Sequence, residues 1–116
     1  QGRARRLIQG TGSRLDAQGL DLYARLIADR AHVDGALRMM AAWDIDTLLN
    51  TLLTIQAKAL FIAADGDKAV PAGVSAQAQA RMPDAELHRL TGLGHLAHEE
   101  APETVASLIL DWISGG

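Results

Sequence analysis

The chain has 116 residues, a length that suits one domain, and 48% of them are apolar, which is enough to form a hydrophobic core. Its formal net charge of −3 argues against a basic surface for nucleic acid, and the absence of cysteine excludes disulfides and thiolate metal sites. The first ten residues are basic, but no apolar segment follows, and no apolar run approaches the roughly 20 residues of a membrane helix. We therefore expect a cytoplasmic protein without a signal peptide or a transmembrane segment.

The first half of the chain has the pattern of short helices. Arginine and glycine dominate residues 1–19, which predicts a polar loop. From Leu20 onward, apolar residues recur every three or four positions in three successive stretches. These stretches are Leu20, Tyr23 and Ile27; Val33, Ala36, Leu37, Met40 and Ala41; and Ile45, Leu48, Leu49, Leu52 and Leu53. Asp44 stands directly before the third stretch, where an aspartate commonly caps a helix N-terminus. The first 55 residues are therefore predicted to form three short helices.

The second half has the pattern of strands alternating with helices. Residues 58–63, "KALFIA", form a continuous apolar run that is typical of a strand buried on both faces of a parallel sheet. Residues 85–90, "AELHRL", predict a second strand at the sheet edge. A helix is predicted between them, with Pro71 in its first turn and Pro83 beyond its end. Residues 64–84 are thus long enough for the crossover that two parallel strands require.

The last helix is the most strongly patterned element. Acidic residues lie near its N-terminus, where the helix dipole favours negative charge, and Gly115 ends it. The face predicted to be buried consists of Val105, Leu108, Ile109, Trp112 and Ile113. The order strand, helix, strand, helix predicts an α/β fold.

Two side chains with complementary chemistry follow the predicted strands. Asp67 lies four residues after the first strand, and His95 lies five residues after the second. Because the carboxyl ends of parallel strands share one edge of the sheet, about 4.8 Å apart, we expect these side chains to reach hydrogen-bond distance. A carboxylate that fixes the tautomer of an imidazole gives two of the three members of a nucleophile–base–acid triad. Asp65 is the alternative acid.

Three segments resemble the C-terminal end of the α/β-hydrolases. They are "ADGDKAVP", "MPDAEL" and "GLGHLAHEEAPETVASLILDWI". In that family the acid lies in a D-x-x-V-P turn after the penultimate strand, and the histidine lies in a G-x-G-H turn after the last strand. The resemblance covers about residues 54–114, and it implies that Asp67 is the acid and His95 the base of a Ser-His-Asp triad.

A narrower resemblance runs through the helical half. The segments "TGSRLDAQGLDLYARL", "HVDGALRMMAAWDID" and "LGHLAHEEAPE" resemble the α/β-hydrolase-fold accessory proteins of magnesium chelatase in bacteriochlorophyll biosynthesis. It implies that residues 1–55 are part of a helical cap and that residues 56–116 are the C-terminal part of the core, with parallel strands and flanking helices. It also implies a tetrapyrrole-related small-molecule substrate and chelatase subunits as partners. We expect no cofactor. Met39, Met40 and Trp43 suit a flat ligand, although packing of a cap helix is the simpler explanation.

The sequence lacks the nucleophile that such a triad requires. No G-x-S-x-G elbow occurs, and none of the four serines, Ser13, Ser75, Ser107 and Ser114, has a comparable setting. We therefore expect a longer parent protein, a serine hydrolase whose missing N-terminal part supplies the nucleophile, and we expect this chain alone to be inactive. Two alternatives stay open: a non-catalytic accessory module that binds a tetrapyrrole or chelatase subunits, and a serine esterase-type hydrolase of another pathway.

The same residues also have simpler interpretations. Asp67 as a turn cap and His95 as an ordinary loop histidine are the alternatives to a catalytic pair. His95 and His98 form an H-x-x-H pattern with two glutamates nearby, but the spacing differs from the helical H-x-x-x-H of zinc sites. We therefore predict no metal site.

Overall fold

The computed structural model describes residues 2–115 and contains seven helices and two strands within them. In chain order they are α1 (Gly2–Gly10), α2 (Ala17–Ala28), α3 (Arg30–Ala41), α4 (Ile45–Thr51), β1 (Ala59–Ala64), α5 (Ala72–Arg81), β2 (Ala85–Leu90), α6 (Ala97–Glu100) and α7 (Pro102–Gly115). A 3₁₀ turn, Leu52–Thr54, follows α4. Helices and a small sheet are therefore combined in a mixed fold that is compatible with the predicted α/β class.

The two strands form a parallel pair connected by α5. Their register runs from Ala59 opposite Ala85 to Ala64 opposite Leu90. The second strand has the predicted bounds, and β1 lies one residue later than predicted. Ala63 and Ala64 are buried, but the three large side chains before them are only half-buried. The predicted burial of β1 is thus reached only at its last two residues. Among residues 2–115, β2 is its sole partner strand.

The prediction of a polar loop over residues 1–19 is wrong for its first half, which forms α1. Ala4 and Ile8 lie one helical turn apart and are almost fully buried, with 0% and 3% of their surface exposed. The arginines of α1 remain exposed, and arginine is itself a good helix former. The spacing of these two apolar residues is therefore a helix signal that the basic composition obscures.

Aspartates begin the next three helices. Asp16 accepts a hydrogen bond from the backbone N–H of Gly19, and Asp29 accepts from two backbone N–H groups at the start of α3. Asp44 accepts from the backbone N–H of Thr47, which confirms its predicted role as the cap of α4. All three predicted apolar stretches are helical, and each starts from such a cap.

Many of the apolar side chains that were predicted to be buried are exposed to solvent. The predicted buried face of α7 is buried only in part: Val105 is buried and Leu108 and Trp112 are half-buried, but Ile109 and Ile113 are 40% and 63% exposed. Among residues 2–115, α7 packs chiefly against the short helix α6. Trp43, beyond α3, is 58% exposed. Even so, none of the helices within the described range is both long and apolar enough to cross a membrane.

Candidate functional site

Asp67 lies in the turn after β1, and its carboxylate is held by that turn. Its Oδ1 atom accepts hydrogen bonds from the backbone N–H groups of Ala69 and Val70, at 2.9 and 2.8 Å. Its own backbone N–H donates to the carbonyl oxygen of Ala64 at 3.1 Å. Such local bonds are the usual means by which an aspartate stabilises a turn. Here they also fix the carboxylate so that Oδ2 faces the neighbouring turn.

His95 lies in the turn after β2 and contacts Asp67. The distance between His95 Nδ1 and Asp67 Oδ2 is 3.0 Å, and the side chains are 39% and 12% exposed. Since an ionised carboxylate can only accept hydrogen bonds, the contact assigns a proton to Nδ1, and the neutral imidazole then has its lone pair on Nε2. The structure therefore brings the two predicted site residues together in an orientation that allows Nε2 to act as a base. Their role in catalysis stays a prediction.

The ionisation of Asp67 supports this orientation. Burial alone raises the pKa of the Asp67 carboxyl, but the hydrogen bonds from the Val70 N–H, from His95 Nδ1 and from the Ala69 N–H outweigh it. The pKa of Asp67 consequently lies below its ordinary value. The carboxylate is thus charged at neutral pH and can stabilise an imidazolium on His95.

A third turn, residues 11–14, contacts two others. These are the turn after β1 that contains Asp67, called the acid turn, and the turn after β2 that contains His95, called the histidine turn. The carbonyl oxygen of Thr11 accepts a hydrogen bond from the backbone N–H of Lys68 at 3.0 Å and from that of His95 at 3.3 Å. One carbonyl group of the helical half therefore connects the residue after Asp67 with the histidine itself.

Glycines permit this close approach of the three turns. A Cβ atom on Gly66 would lie 2.6 Å from the carbonyl oxygen of Leu93, and one on Gly94 would lie 2.5 Å from the backbone nitrogen of Ser13. Gly12 has a φ of +84°, and a Cβ there would collide with the carbonyl group of Gly66. No side chain fits at these distances, so each turn needs glycine where it meets the next.

Two residues that sequence reasoning did not assign to the site hold the histidine turn. Glu100 accepts hydrogen bonds from the backbone N–H of Arg14 through Oε1 and of Gly94 through Oε2, each at 2.8 Å. Ser13, with 1% of its surface exposed, accepts from the backbone N–H of Leu96 at 2.7 Å. The partners Arg14 and Glu100 are 86 positions apart, and no local pattern signals such a contact.

The other candidate residues, Asp65 and His98, have partners of their own. Asp65 forms an exposed ion pair with Arg89, at 3.0 Å between Oδ1 and Nε, so the structure places Asp67 and not Asp65 on His95. His98 lies 3.7 Å from Glu99, measured between its Nε2 atom and Oε1 of the glutamate. Within residues 2–115, no three histidine or acidic side chains are grouped closely enough to hold a metal ion.

Tyr23 connects α2 with α6 through a hydrogen bond. Its hydroxyl donates a hydrogen bond to Glu99 Oε1 at 2.5 Å. Burial, together with this bond and the negative charge of Glu99, raises the pKa of Tyr23 to about 12. The tyrosine therefore stays neutral and continues to donate across the physiological pH range.

A small recess lies beside the acid–histidine pair. It has a volume of about 110 Å³ and is lined by Asp67, His95 and His98 together with apolar residues that include Ile62 and Val105. Sites for drug-sized ligands usually measure about 300–1,000 Å³. The recess accommodates a few atoms beside His95. A site for a larger substrate would need additional residues to line it.

A carboxylate-oriented histidine at the carboxyl edge of parallel strands is an arrangement found in α/β-hydrolases. Consistent with that class, the chain is 29% identical over 101 residues to the "Uncharacterized hydrolase YugF" of Bacillus subtilis (strain 168), a match that covers 87% of the chain and 37% of the relative. It is 47% identical over 109 residues to the "Magnesium-chelatase 30 kDa subunit" of Rhodobacter capsulatus, covering 94% of the chain and 38% of that protein. No protein-family model matches the chain.

These similarities confirm the resemblance to a magnesium chelatase accessory protein and support the link to hydrolases. The chain spans less than two fifths of the length of each of these curated relatives, 38% and 37%. The activity, substrates and partners of a whole protein of this kind are therefore matters of proposal.

Proposed function

We propose that this chain is the C-terminal part of an α/β-hydrolase-fold protein related to the magnesium chelatase 30 kDa subunit. Residues 1–55 form part of a helical cap, and residues 56–116 form the end of the core. The parallel pair β1–β2 with its crossover helix supports this proposal. So do the exposed apolar side chains of α3 and α7, which suit contact with further parts of the fold. The cysteine-free sequence is in keeping with a cytoplasmic location.

In the proposed parent, Asp67 and His95 supply the acid and base of a Ser-His-Asp triad. The observation that carries this proposal is the 3.0 Å contact between His95 Nδ1 and Asp67 Oδ2, whose other oxygen is held by its own turn. His95 Nε2 removes the proton of a serine hydroxyl and returns it to the leaving group, while Asp67 holds the tautomer and stabilises the imidazolium.

The serine of this triad comes from another part of the parent. Ser13 is the serine that contacts the histidine turn, but it is 1% exposed and its oxygen accepts the hydrogen bond of Leu96. A hydroxyl held in this way is a structural acceptor. We therefore expect the 116-residue chain alone to be inactive.

Labelling of the full-length parent with a fluorophosphonate probe tests the hydrolase proposal. The probe reacts with serines that an adjacent base activates. The wild-type parent is expected to label, and His95→Ala is expected to abolish labelling while leaving the protein folded. A folded wild-type parent that does not react with the probe would contradict the proposal.

A second candidate function is a non-catalytic accessory module of magnesium chelatase. The 47% identity to a chelatase subunit favours it. The exposed side chains of Met39, Met40 and Trp43 suit contact with a flat tetrapyrrole-related ligand or with a chelatase subunit. This function would be supported over hydrolysis if the folded parent does not react with the fluorophosphonate probe but co-purifies with chelatase subunits. Labelling that disappears in His95→Ala would support hydrolysis.

A further inference from the structure

The backbone around His95 is held by three consecutive hydrogen bonds. The N–H groups of Gly94, His95 and Leu96 donate to Glu100 Oε2, to the carbonyl oxygen of Thr11 and to Ser13 Oγ, at 2.8, 3.3 and 2.7 Å. Two of the three acceptors belong to the 11–14 turn of the helical half. The third, Glu100, belongs to α6 but also accepts from the backbone N–H of Arg14 at 2.8 Å. All three bonds therefore connect the histidine turn with the 11–14 turn.

We propose that Glu100 is a positioning residue, which holds His95 against Asp67 by clamping the histidine turn to the 11–14 turn. The contribution of Glu100 to catalysis rests on the hydrolase function proposed above. Both carboxylate oxygens are used on backbone donors, one from each turn. A charged carboxylate accepts more strongly than a neutral carbonyl group, so a single side chain secures both turns.

The local backbone explains why a clamp is needed. Two glycines, Gly92 and Gly94, lie just before His95, and Gly92 adopts a φ of +78°. Glycine-rich segments have more conformational freedom than other segments, so hydrogen bonds from neighbouring segments contribute to the shape of this turn. The N–H of Gly94 lies in a buried residue and would lose its partner without Glu100. Loss of the clamp therefore releases the residue next to the histidine.

The same clamp also reaches the acid turn. Thr11 accepts from both His95 and Lys68, which follows Asp67 directly. By fixing Arg14, Glu100 holds the end of the turn that begins at Thr11. Movement of that turn would alter the distance between Nδ1 of His95 and Oδ2 of Asp67, and Glu100 acts on the pair through the backbone without touching it.

Proton NMR of the full-length parent with ¹⁵N-labelled histidine tests this proposal. The Nδ1 proton of a histidine bonded to a carboxylate gives a low-field resonance, which is assigned to His95 by its loss in His95→Ala. We expect the resonance to be lost or broadened in folded Glu100→Ala. It should be weakened less in Glu100→Gln, because glutamine keeps one acceptor oxygen. Glu103→Gln, an exposed acid at the start of α7, is the matched control and should leave the resonance unchanged.

A second variant keeps the test decisive if Glu100→Ala does not fold. Ser13→Ala removes the acceptor of the Leu96 N–H with little change in volume, and it should broaden the same resonance. The proposal would be overturned by a folded Glu100→Ala protein that shows the wild-type resonance. If Glu100→Ala does not fold, it would be overturned by wild-type resonances in both single variants, Glu100→Gln and Ser13→Ala.

The labelling rate gives an independent readout. Small misplacements of a catalytic group cost up to about 10²-fold in rate, so we expect Glu100→Ala to slow fluorophosphonate labelling by roughly tenfold or more relative to Glu103→Gln. An equal rate in the two folded variants would contradict the positioning role. If the wild-type parent does not label, the hydrolase function fails, whereas the NMR comparison still decides whether Glu100 positions His95.

Discussion

Asp67 and His95 lie 28 positions apart and meet with 3.0 Å between Oδ2 and Nδ1. The two oxygens of Asp67 have separate roles. One is bound by the N–H groups of Ala69 and Val70, and the other is directed at the imidazole. The acid is thus oriented by its own turn, and the histidine is oriented by the acid and by the turns around it.

Replacement of Asp67 by asparagine should separate orientation from folding. In Asp67→Asn the amide oxygen can still accept from the turn, but the amide nitrogen would face Nδ1 and favour the wrong tautomer of His95. In the full-length parent we expect fluorophosphonate labelling to fall by roughly 10⁴-fold, as for removal of the equivalent charge in a serine protease triad. Asp65→Asn is the control, because its exposed ion pair with Arg89 should contribute little. Equal losses in both variants would show that Asp67 has no special role.

The stability of the parent protein should depend on the ionisation of Asp67. The pKa of this carboxyl is lowered from its ordinary value of 3.8, so the folded state favours the charged form. The resulting stabilisation is fully present above that ordinary value and is lost as the pH falls through the lower pKa of the folded state. Urea unfolding of the wild type and of Asp67→Asn should therefore differ more at pH 7 than at about pH 3, which lies below the ordinary pKa of an aspartate. A constant difference would contradict this assignment.

Tyr23 should titrate at unusually high pH. Its pKa is raised to about 12 by burial and by Glu99, and the neutral form donates to that carboxylate. The difference in ultraviolet absorbance between the wild type and Tyr23→Phe isolates its ionisation. Glu99→Gln should move the Tyr23 pKa part of the way back toward 10.0, since burial remains. A pKa of Tyr23 that is insensitive to this change would rule out the contact between α2 and α6.

Alanine at Gly94 should destabilise the protein. The new Cβ would lie 2.5 Å from the backbone nitrogen of Ser13, and that neighbour is main chain that cannot rotate away. Forced overpacking of this kind costs about 1–3 kcal/mol. Gly73→Ala is the matched control, because nothing lies within 4 Å of its Cβ position, and a glycine in α5 is less favourable than alanine by about 0.5–1 kcal/mol. Thermal unfolding should shift in opposite directions for the two variants, and equal shifts would argue against close contact of the turns.

The parts of the fold that depend on local pattern could be predicted from the sequence. The apolar run before Asp65 indicates a strand, and Asp44 indicates a helix start. The parallel order of the two strands places Asp67 near His95. In each case the signal lies within a few residues, or follows from the rule that parallel strands end at one edge.

The remaining features depend on contacts between distant segments. Ser13 meets Leu96 across 83 positions, and nothing in "TGSRL" or "GHLAH" shows that these segments touch. The helix α1 could not be predicted with ease because its burial depends on only two apolar residues, Ala4 and Ile8, among exposed arginines. The apolar pattern of α7 correctly indicates a helix, but the pattern cannot specify which neighbour covers it.

The central claim is that Asp67 and His95 serve a serine nucleophile in a longer parent protein. Fluorophosphonate labelling of the full-length parent, followed by mass spectrometry of the modified peptide, tests it most directly. We predict that the modified residue is a serine in a G-x-S-x-G segment outside these 116 residues, and that His95→Ala prevents the modification. Modification of Ser13, or no modified serine in the folded wild-type parent, would contradict the claim.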